Sequence, residues 1–434
     1  MEWQVLLEII LVHNRDDWRQ VSLVCKEWLL AESETMSCMS VLSYAVEPRI
    51  LSRRCPNVKV LKIKGDNKVK LGSKATPWIQ EITNLGALKS LEFSEMEVSD
   101  NDLHILATSK LGKLEALELY GCYGFSTDGL LSIAKHCKNL EKLVLDASSL
   151  LVKDGEWLHQ ISVHNHSLKV LNFHLIPNIQ FNTQDLEAVA KNCPLNSLKI
   201  GLVDMLELNG FFTAAHKLQQ FFGGSFSTDV NRSQDMYRFI KLPSTLCGLG
   251  NFYMKPCDMA LLSPFADRIQ YLDLRFALLG LNDQCHLLQT TPNLEVLELF
   301  TDIQDQVLRV IAKSCKKLKQ LRILLGPDMK ISRRFTQKGL ISISQGCHEL
   351  ECIEVYILTI KNEALQIMGE NLKNLSEFRL TLTSYKKEDK ALPLDHGVRA
   401  LLMGCTKMRK FKLYLREGDL TDVGRNMSVS TVKM

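Results

Sequence analysis

One short pattern, returning along the whole of this 434-residue chain, constrains its fold more than any other feature. Cys55 is followed by Val58, Leu61 and Ile63, and Cys137 by Leu140, Leu143 and Leu145. Cys315 precedes Leu318, Leu321 and Ile323; Cys347 precedes Leu350, Ile353 and Val355; Cys405 precedes Met408, Phe411 and Leu413. Each reads Cys-x-x-apolar-x-x-apolar-x-apolar. Cys193 leads the same series one residue short, through Leu195, Leu198 and Ile200. Elsewhere the spacing persists with Leu85, Leu111, Asn165, Thr291 or Leu372 in place of the thiol. Anchors at 55, 85, 111, 137, 165 and 193 lie 26 to 30 residues apart, and those at 291, 315, 347, 372 and 405 lie 24 to 33 apart.

A period of this size with 3-3-2 apolar spacing predicts leucine-rich repeats. The last two apolar residues alternate, as one short strand requires. The anchor ends a helix: before Cys137, Ser126, Thr127 or Asp128 can cap a helix whose buried stripe is Leu130, Ile133 and Ala134. Each repeat is then strand, turn and helix of about 26 residues, and no repeat can bury its core face alone, so the repeats stack. The predicted class is α/β, a leucine-rich-repeat solenoid over residues 46–424, with a helical head at 1–45 and an irregular tail at 425–434. The pattern is weakest in the middle, where residues 222–240 read as an inserted loop.

Composition narrows the function. Thirteen cysteines, an odd number without any Cys-x-x-Cys, argue against a disulfide scaffold or a zinc site and for reduced thiols. A net charge of +4 is too small for a nucleic-acid footprint. No apolar run approaches the roughly 18 residues of a membrane span. The start, Met1-Glu2-Trp3-Gln4, lacks the basic region of a secretory signal. No P-loop, His-Glu-x-x-His or Gly-x-Ser-x-Gly occurs, so neither an enzyme nor a metal protein is expected.

In the head, Val5, Leu6, Ile9 and Ile10 share one helical face, and Val21, Val24, Cys25 and Trp28 mark a second helix that Asp16 or Asp17 can cap. The run Val21-Ser22-Leu23-Val24-Cys25-Lys26-Glu27-Trp28 resembles the second half of an F-box, although the opening Leu-Pro of that motif is missing. Downstream, Ser52-Arg53-Arg54-Cys55-Pro56-Asn57, Phe125-Ser126-Thr127-Asp128-Gly129-Leu130, Leu392-Pro393-Leu394-Asp395-His396-Gly397 and Tyr414-Leu415-Arg416-Glu417-Gly418 resemble the plant jasmonate-receptor family, the coronatine-insensitive F-box/leucine-rich-repeat proteins. The auxin receptors are a more distant likeness. The resemblance implies a nuclear protein, with the cytoplasm as a second compartment. It implies a non-catalytic subunit of a cullin-based ubiquitin ligase in plant defence, joined through a Skp-type adaptor that Leu6, Ile9, Val24 and Trp28 would contact. Its ligands would be a jasmonoyl–amino-acid conjugate and an inositol polyphosphate, and its substrate a jasmonate-ZIM-domain repressor. The second reading is a degenerate or truncated paralogue that binds protein without sensing hormone.

The resemblance assigns the conjugate to Arg322, Tyr356, Arg379 and Tyr414, and the polyphosphate to Lys62, Lys64 and Arg379. Strand alternation agrees: Arg322 sits between Leu321 and Ile323, and Arg379 between Phe378 and Leu380, so both are expected to face away from the core. Two guanidiniums on nearby strands can hold a carboxylate, and a Tyr hydroxyl adds a donor. A solvated charge run is the alternative for Lys62, Lys64, Lys68, Lys70 and Lys74. The chain departs from the family in several places. The loop 66–78 is short, Ser94-Glu95 replaces a basic pair, Gln320 replaces a basic residue, and Glu354 stands where the family has a small one. The repeats are expected to stop near Gly424, leaving the last apolar face open, with conjugate binding weak or undetectable.

Overall fold

A computed structural model describes residues 33–66, 73–151, 156–176, 179, 181–226, 237, 239–250, 253–300, 303–326, 335–382 and 393–414. The head positions Leu6, Ile9, Val24 and Trp28 lie outside the described residues. The described chain forms two compact units, one within Met1–Gln219 and Lys241–Thr245, the other within Gln220–Ile240 and Leu246–Met434.

The N-terminal unit carries seven parallel strands in its main sheet: β1 (Cys38–Leu42), β2 (Val60–Lys64), β3 (Ser90–Ser94), β4 (Ala116–Tyr120), β5 (Lys142–Val144), β6 (Val170–Asn172) and β7 (Ser197–Lys199); four short strands, Ser73–Lys74, Met96–Glu97, Tyr123–Ser126 and Ser149–Leu151, form a second sheet. The C-terminal unit carries eight: β8 (Gln220–Phe222), β9 (Gly248–Gly250), β10 (Tyr271–Asp273), β11 (Val296–Phe300), β12 (Gln320–Leu324), β13 (Cys352–Ile357), β14 (Glu377–Leu382) and β15 (Lys410–Tyr414). In each unit successive strands of the main sheet pair in parallel, with a helix returning the chain in most repeats, as a leucine-rich-repeat solenoid requires.

Register keeps the central apolar residue of every strand in one row. Leu61, Leu91, Leu117, Leu143, Leu171 and Leu198 align in the first unit, and Leu272, Leu297, Leu321, Ile353 and Phe378 in the second. All are at most 1% exposed. Burial of such a side chain stabilises by roughly 1.5–3 kcal/mol, and a shift of one residue would turn the whole row to solvent.

The anchors end the helices, as the pattern predicts. The backbone N–H groups of Cys137, Cys315, Cys347 and Cys405 each donate to the carbonyl four residues back. Their side chains do more than fill space. The Cys347 thiol donates to the Cys315 carbonyl at 3.4 Å and the Cys315 thiol to that of Thr291 at 3.7 Å. Cys193 donates to Asn165 at 3.0 Å, and Asn165 Nδ2 to Leu140 at 2.9 Å. At Cys193, Cys347 and Asn165 the anchor side chain satisfies a buried carbonyl of the preceding repeat, whereas Thr291 Oγ1 donates to Leu288 of its own repeat at 3.4 Å. All twelve described cysteines are free thiols.

Candidate functional site

One face of each strand row packs under the helices and the other is open. On the open face of the C-terminal unit, register brings Asp273, Glu298, Arg322, Glu354, Arg379 and Lys412 into one line across β10 to β15. Two residues further along, Tyr356, Thr381 and Tyr414 form a second line. The four residues assigned to a conjugate by resemblance thus share one face on neighbouring strands. Alternation along Leu321-Arg322-Ile323 and Phe378-Arg379-Leu380 puts them there.

Both guanidiniums have resident partners. Arg379 Nη1 donates to Glu354 Oε1 at 2.6 Å, and Arg322 Nη1 to Glu298 Oε1 at 3.1 Å. The Glu354 hydrogen bond raises Arg379 above the ordinary guanidinium value. Glu298 also takes the Tyr271 hydroxyl at 2.8 Å and Arg275 Nη2 at 3.2 Å, while Arg275 grips Asp273 at 2.7 and 3.0 Å. Burial, reinforced by Glu298, holds the Tyr271 phenol well above its usual range. Sequence reasoning missed Asp273, Arg275 and Glu298. The available signal was Glu298 alternating outward between Leu297 and Leu299. A shallow cavity of about 210 Å³ lies over Arg322, Cys352, Glu354, Glu377, Arg379 and Lys412.

The open face of the N-terminal unit carries Lys62, Glu92, Glu118, Val144, Asn172 and Lys199 in line. Lys62 and Lys64 do face away from the core, but each meets a carboxylate. Lys62 Nζ lies 2.6 Å from Glu92 Oε2, and Lys64 Nζ 3.6 Å from Glu95 Oε2. Glu118 accepts from the Tyr120 hydroxyl at 2.7 Å and pairs with Lys142 at 2.8 Å. Lys62, Lys64 and Arg379 are all ion-paired within the chain, and Glu92 and Glu118 stand beside Lys62 in the row. Among the described residues no group of three or more His, Cys, Asp or Glu could hold a metal ion, and no helix is long and apolar enough to cross a membrane.

No family profile matches the chain. Coronatine-insensitive protein 1 of Arabidopsis thaliana is 45% identical over 438 residues, which cover 97% of this chain and 73% of that protein. Coronatine-insensitive protein homolog 1b of Oryza sativa subsp. japonica is 40% identical over 428 residues, 95% of this chain and 71% of that one. GRR1-like protein 1 of Arabidopsis thaliana is 30% identical over 436 residues, 94% of this chain and 73% of that one. Among solved structures, the yeast Rad7 and Elc1 complex gives a TM-score of 0.46 at 11% identity over 98% of this chain and 97% of that one, too remote to argue from. With strand–helix repeats throughout and 45% identity across nearly its whole length, the chain belongs to the coronatine-insensitive family of F-box and leucine-rich-repeat proteins, which are non-catalytic substrate adaptors.

Proposed function

We propose that the chain is a substrate-recognition subunit of a cullin-based ubiquitin ligase. The segment before β1 engages a Skp-type adaptor, and the open face of the repeats from β1 onward holds a protein substrate of the jasmonate-ZIM-domain repressor type. Catalysis belongs to the other subunits of the ligase, and the working compartment is the nucleus. The observation that carries this reading is the likeness to coronatine-insensitive protein 1, 45% identical over 97% of the chain. The grouping of Arg322, Tyr356, Arg379 and Tyr414 on β12 to β15 supports it. The test is capture of a Skp-type adaptor by the full chain. Trp28→Ala, removing an aromatic anchor of the head, is expected to weaken capture by about 2 kcal/mol, roughly thirtyfold. Undiminished capture by that variant rejects the assignment.

A second reading, a protein-binding solenoid without hormone sensing, is favoured by one observation: the two guanidiniums meant for the conjugate are already paired with Glu298 and Glu354. Binding of a repressor degron peptide with and without a jasmonoyl–amino-acid conjugate separates the two. Conjugate-independent binding selects the second.

A further inference from the structure

Within the C-terminal unit the repeats are built in twos. Glu298 recurs as Glu354, Asp305 as Asn362, Lys316 as Lys373, Arg322 as Arg379 and Gly339 as Gly397, at offsets of 56 to 58 residues. The correspondence is structural as well. Asp305 Oδ1 accepts from the backbone N–H groups of Thr336 and Gly339 at 2.8 and 3.0 Å, and Asn362 Oδ1 from that of Gly397 at 2.7 Å. Lys316 Nζ donates to the carbonyls of Ala312 and Gly346 at 2.5 and 3.1 Å, and Lys373 Nζ to those of Gly369 and Gly404 at 2.8 and 3.3 Å. Each module therefore opens with a strand whose outward central residue is Glu, β11 or β13. It continues with a strand whose outward central residue is Arg, β12 or β14. The same acid-to-arginine bond arises twice, so the pairing belongs to the architecture and not to one side-chain rotamer.

We infer that Glu354 sets the ligand specificity of this open face: as resident counter-ion of Arg379, alongside Glu298 on Arg322, it turns the face against free anions. The inference rests on the reading of this face as the recognition surface. Asp273, Glu298 and Glu354 balance Arg275, Arg322 and Arg379, so the line from β10 to β14 offers no net positive charge. An incoming carboxylate or phosphate must displace Glu354, whose side chain is only 15% exposed, and then remain beside it. Like charges a few ångströms apart oppose that arrangement. Glu354 rather than Glu298 is the controlling residue. Glu298 is held by Tyr271, Arg275 and Arg322 together, whereas Glu354 accepts from Arg379. Neutralising Glu354 frees Arg379 beside Lys412 at the shallow cavity, while Arg322 keeps Glu298.

The test titrates inorganic pyrophosphate, as a simple polyanion probe, into the full chain by calorimetry at low salt. Glu354→Ala and Glu354→Gln are each expected to bind it at least tenfold more tightly than the natural chain, with a gain that shrinks as salt is raised. Glu354→Gln preserves the side-chain volume and so guards against a folding artefact. The double variant Glu354→Ala, Arg379→Ala is expected to lose the gain. Equal affinity in the natural chain and both Glu354 variants, whether strong or absent, overturns the inference, as does a gain that survives loss of Arg379. Adaptor capture, read on the same samples, reports on the ligase reading separately. Its failure in every variant removes that reading without touching the difference between Glu354 and its replacements.

Discussion

The two units close the same kind of repeat by different means. In the N-terminal unit the turn after the strand uses backbone conformation. Glu95, Gly121, Ala147 and Leu175 each lie four residues past the central leucine of β3 to β6, and all four are left-handed, with φ between 54° and 59°. Only Gly121 suits that conformation without a steric cost. In the C-terminal unit no described residue other than glycine has positive φ. There, side chains bridge successive helices: Asp305 and Asn362 at the starts, Lys316 and Lys373 at the ends. The N-terminal unit uses such a start bridge at Asp100, which accepts from the N–H groups of Ser126 and Gly129 at 2.6 and 3.1 Å. The difference follows connection length. Anchors 85 to 193 are spaced evenly, whereas those from 291 to 405 are spaced 24, 32, 25 and 33 residues apart. A standard turn can serve even spacing. A long connection carries more chain entropy and no fixed turn, so the helix after it is held by its neighbour's side chains.

The largest expected effect tests what the units share. Burial holds the thiols of Cys122, Cys193, Cys347 and Cys405 at about 11 and those of Cys137 and Cys315 at about 12. A free thiol titrates near 8.5. Between those values the unfolded chain has lost protons that the folded chain keeps, so stability falls as pH rises. Below about pH 8 the contribution is complete, and above it each thiol withdraws about 1.4 kcal/mol per pH unit. With three such thiols in each unit, the urea midpoint should stay level to about pH 8 and drop steeply by pH 10 to 11, and alkylation should reach all six thiols together. A level midpoint to pH 11, or labelling confined to one unit, breaks the equivalence.

A second measurement tests the bridged contact between helices. A Cβ on Gly397 would lie 2.7 Å from the Asn362 Cα, whereas one on Gly86 would meet nothing within 4 Å. Gly397→Val should therefore cost about 3 kcal/mol in chemical denaturation, and Gly86→Ala almost nothing. If Gly397→Val is tolerated, the close, bridged helix contact is not what holds the long repeat. The smallest effect has the opposite sign. Ala147→Gly should stabilise the N-terminal unit by about 0.5 kcal/mol, because relief of left-handed strain exceeds glycine's entropy cost only slightly. A loss of stability would mean that the turn is not strained at Ala147.

Much of this is legible in the sequence. Cys-x-x-apolar-x-x-apolar-x-apolar locates the strands, the helix ends and the buried rows, because a solenoid repeats local structure. The anchors needed the structure for their full meaning. The pattern alone places a reduced thiol there, and its donation to the preceding anchor's carbonyl arises only where repeats stack. Glu354 was visible as an acid beside a ligand position, but the identity of its partner was not.

Period and alternation by themselves determined the repeat, the core and the outward direction of Arg322, Tyr356, Arg379 and Tyr414, since a side chain's face depends on its own strand alone. Which charge meets which was decided only in the tertiary structure. Partners such as Arg379 and Glu354, or Lys62 and Glu92, lie 25 and 30 residues apart in the chain. They become neighbours through the register between strands, and register depends on the length and closure of every connection between them.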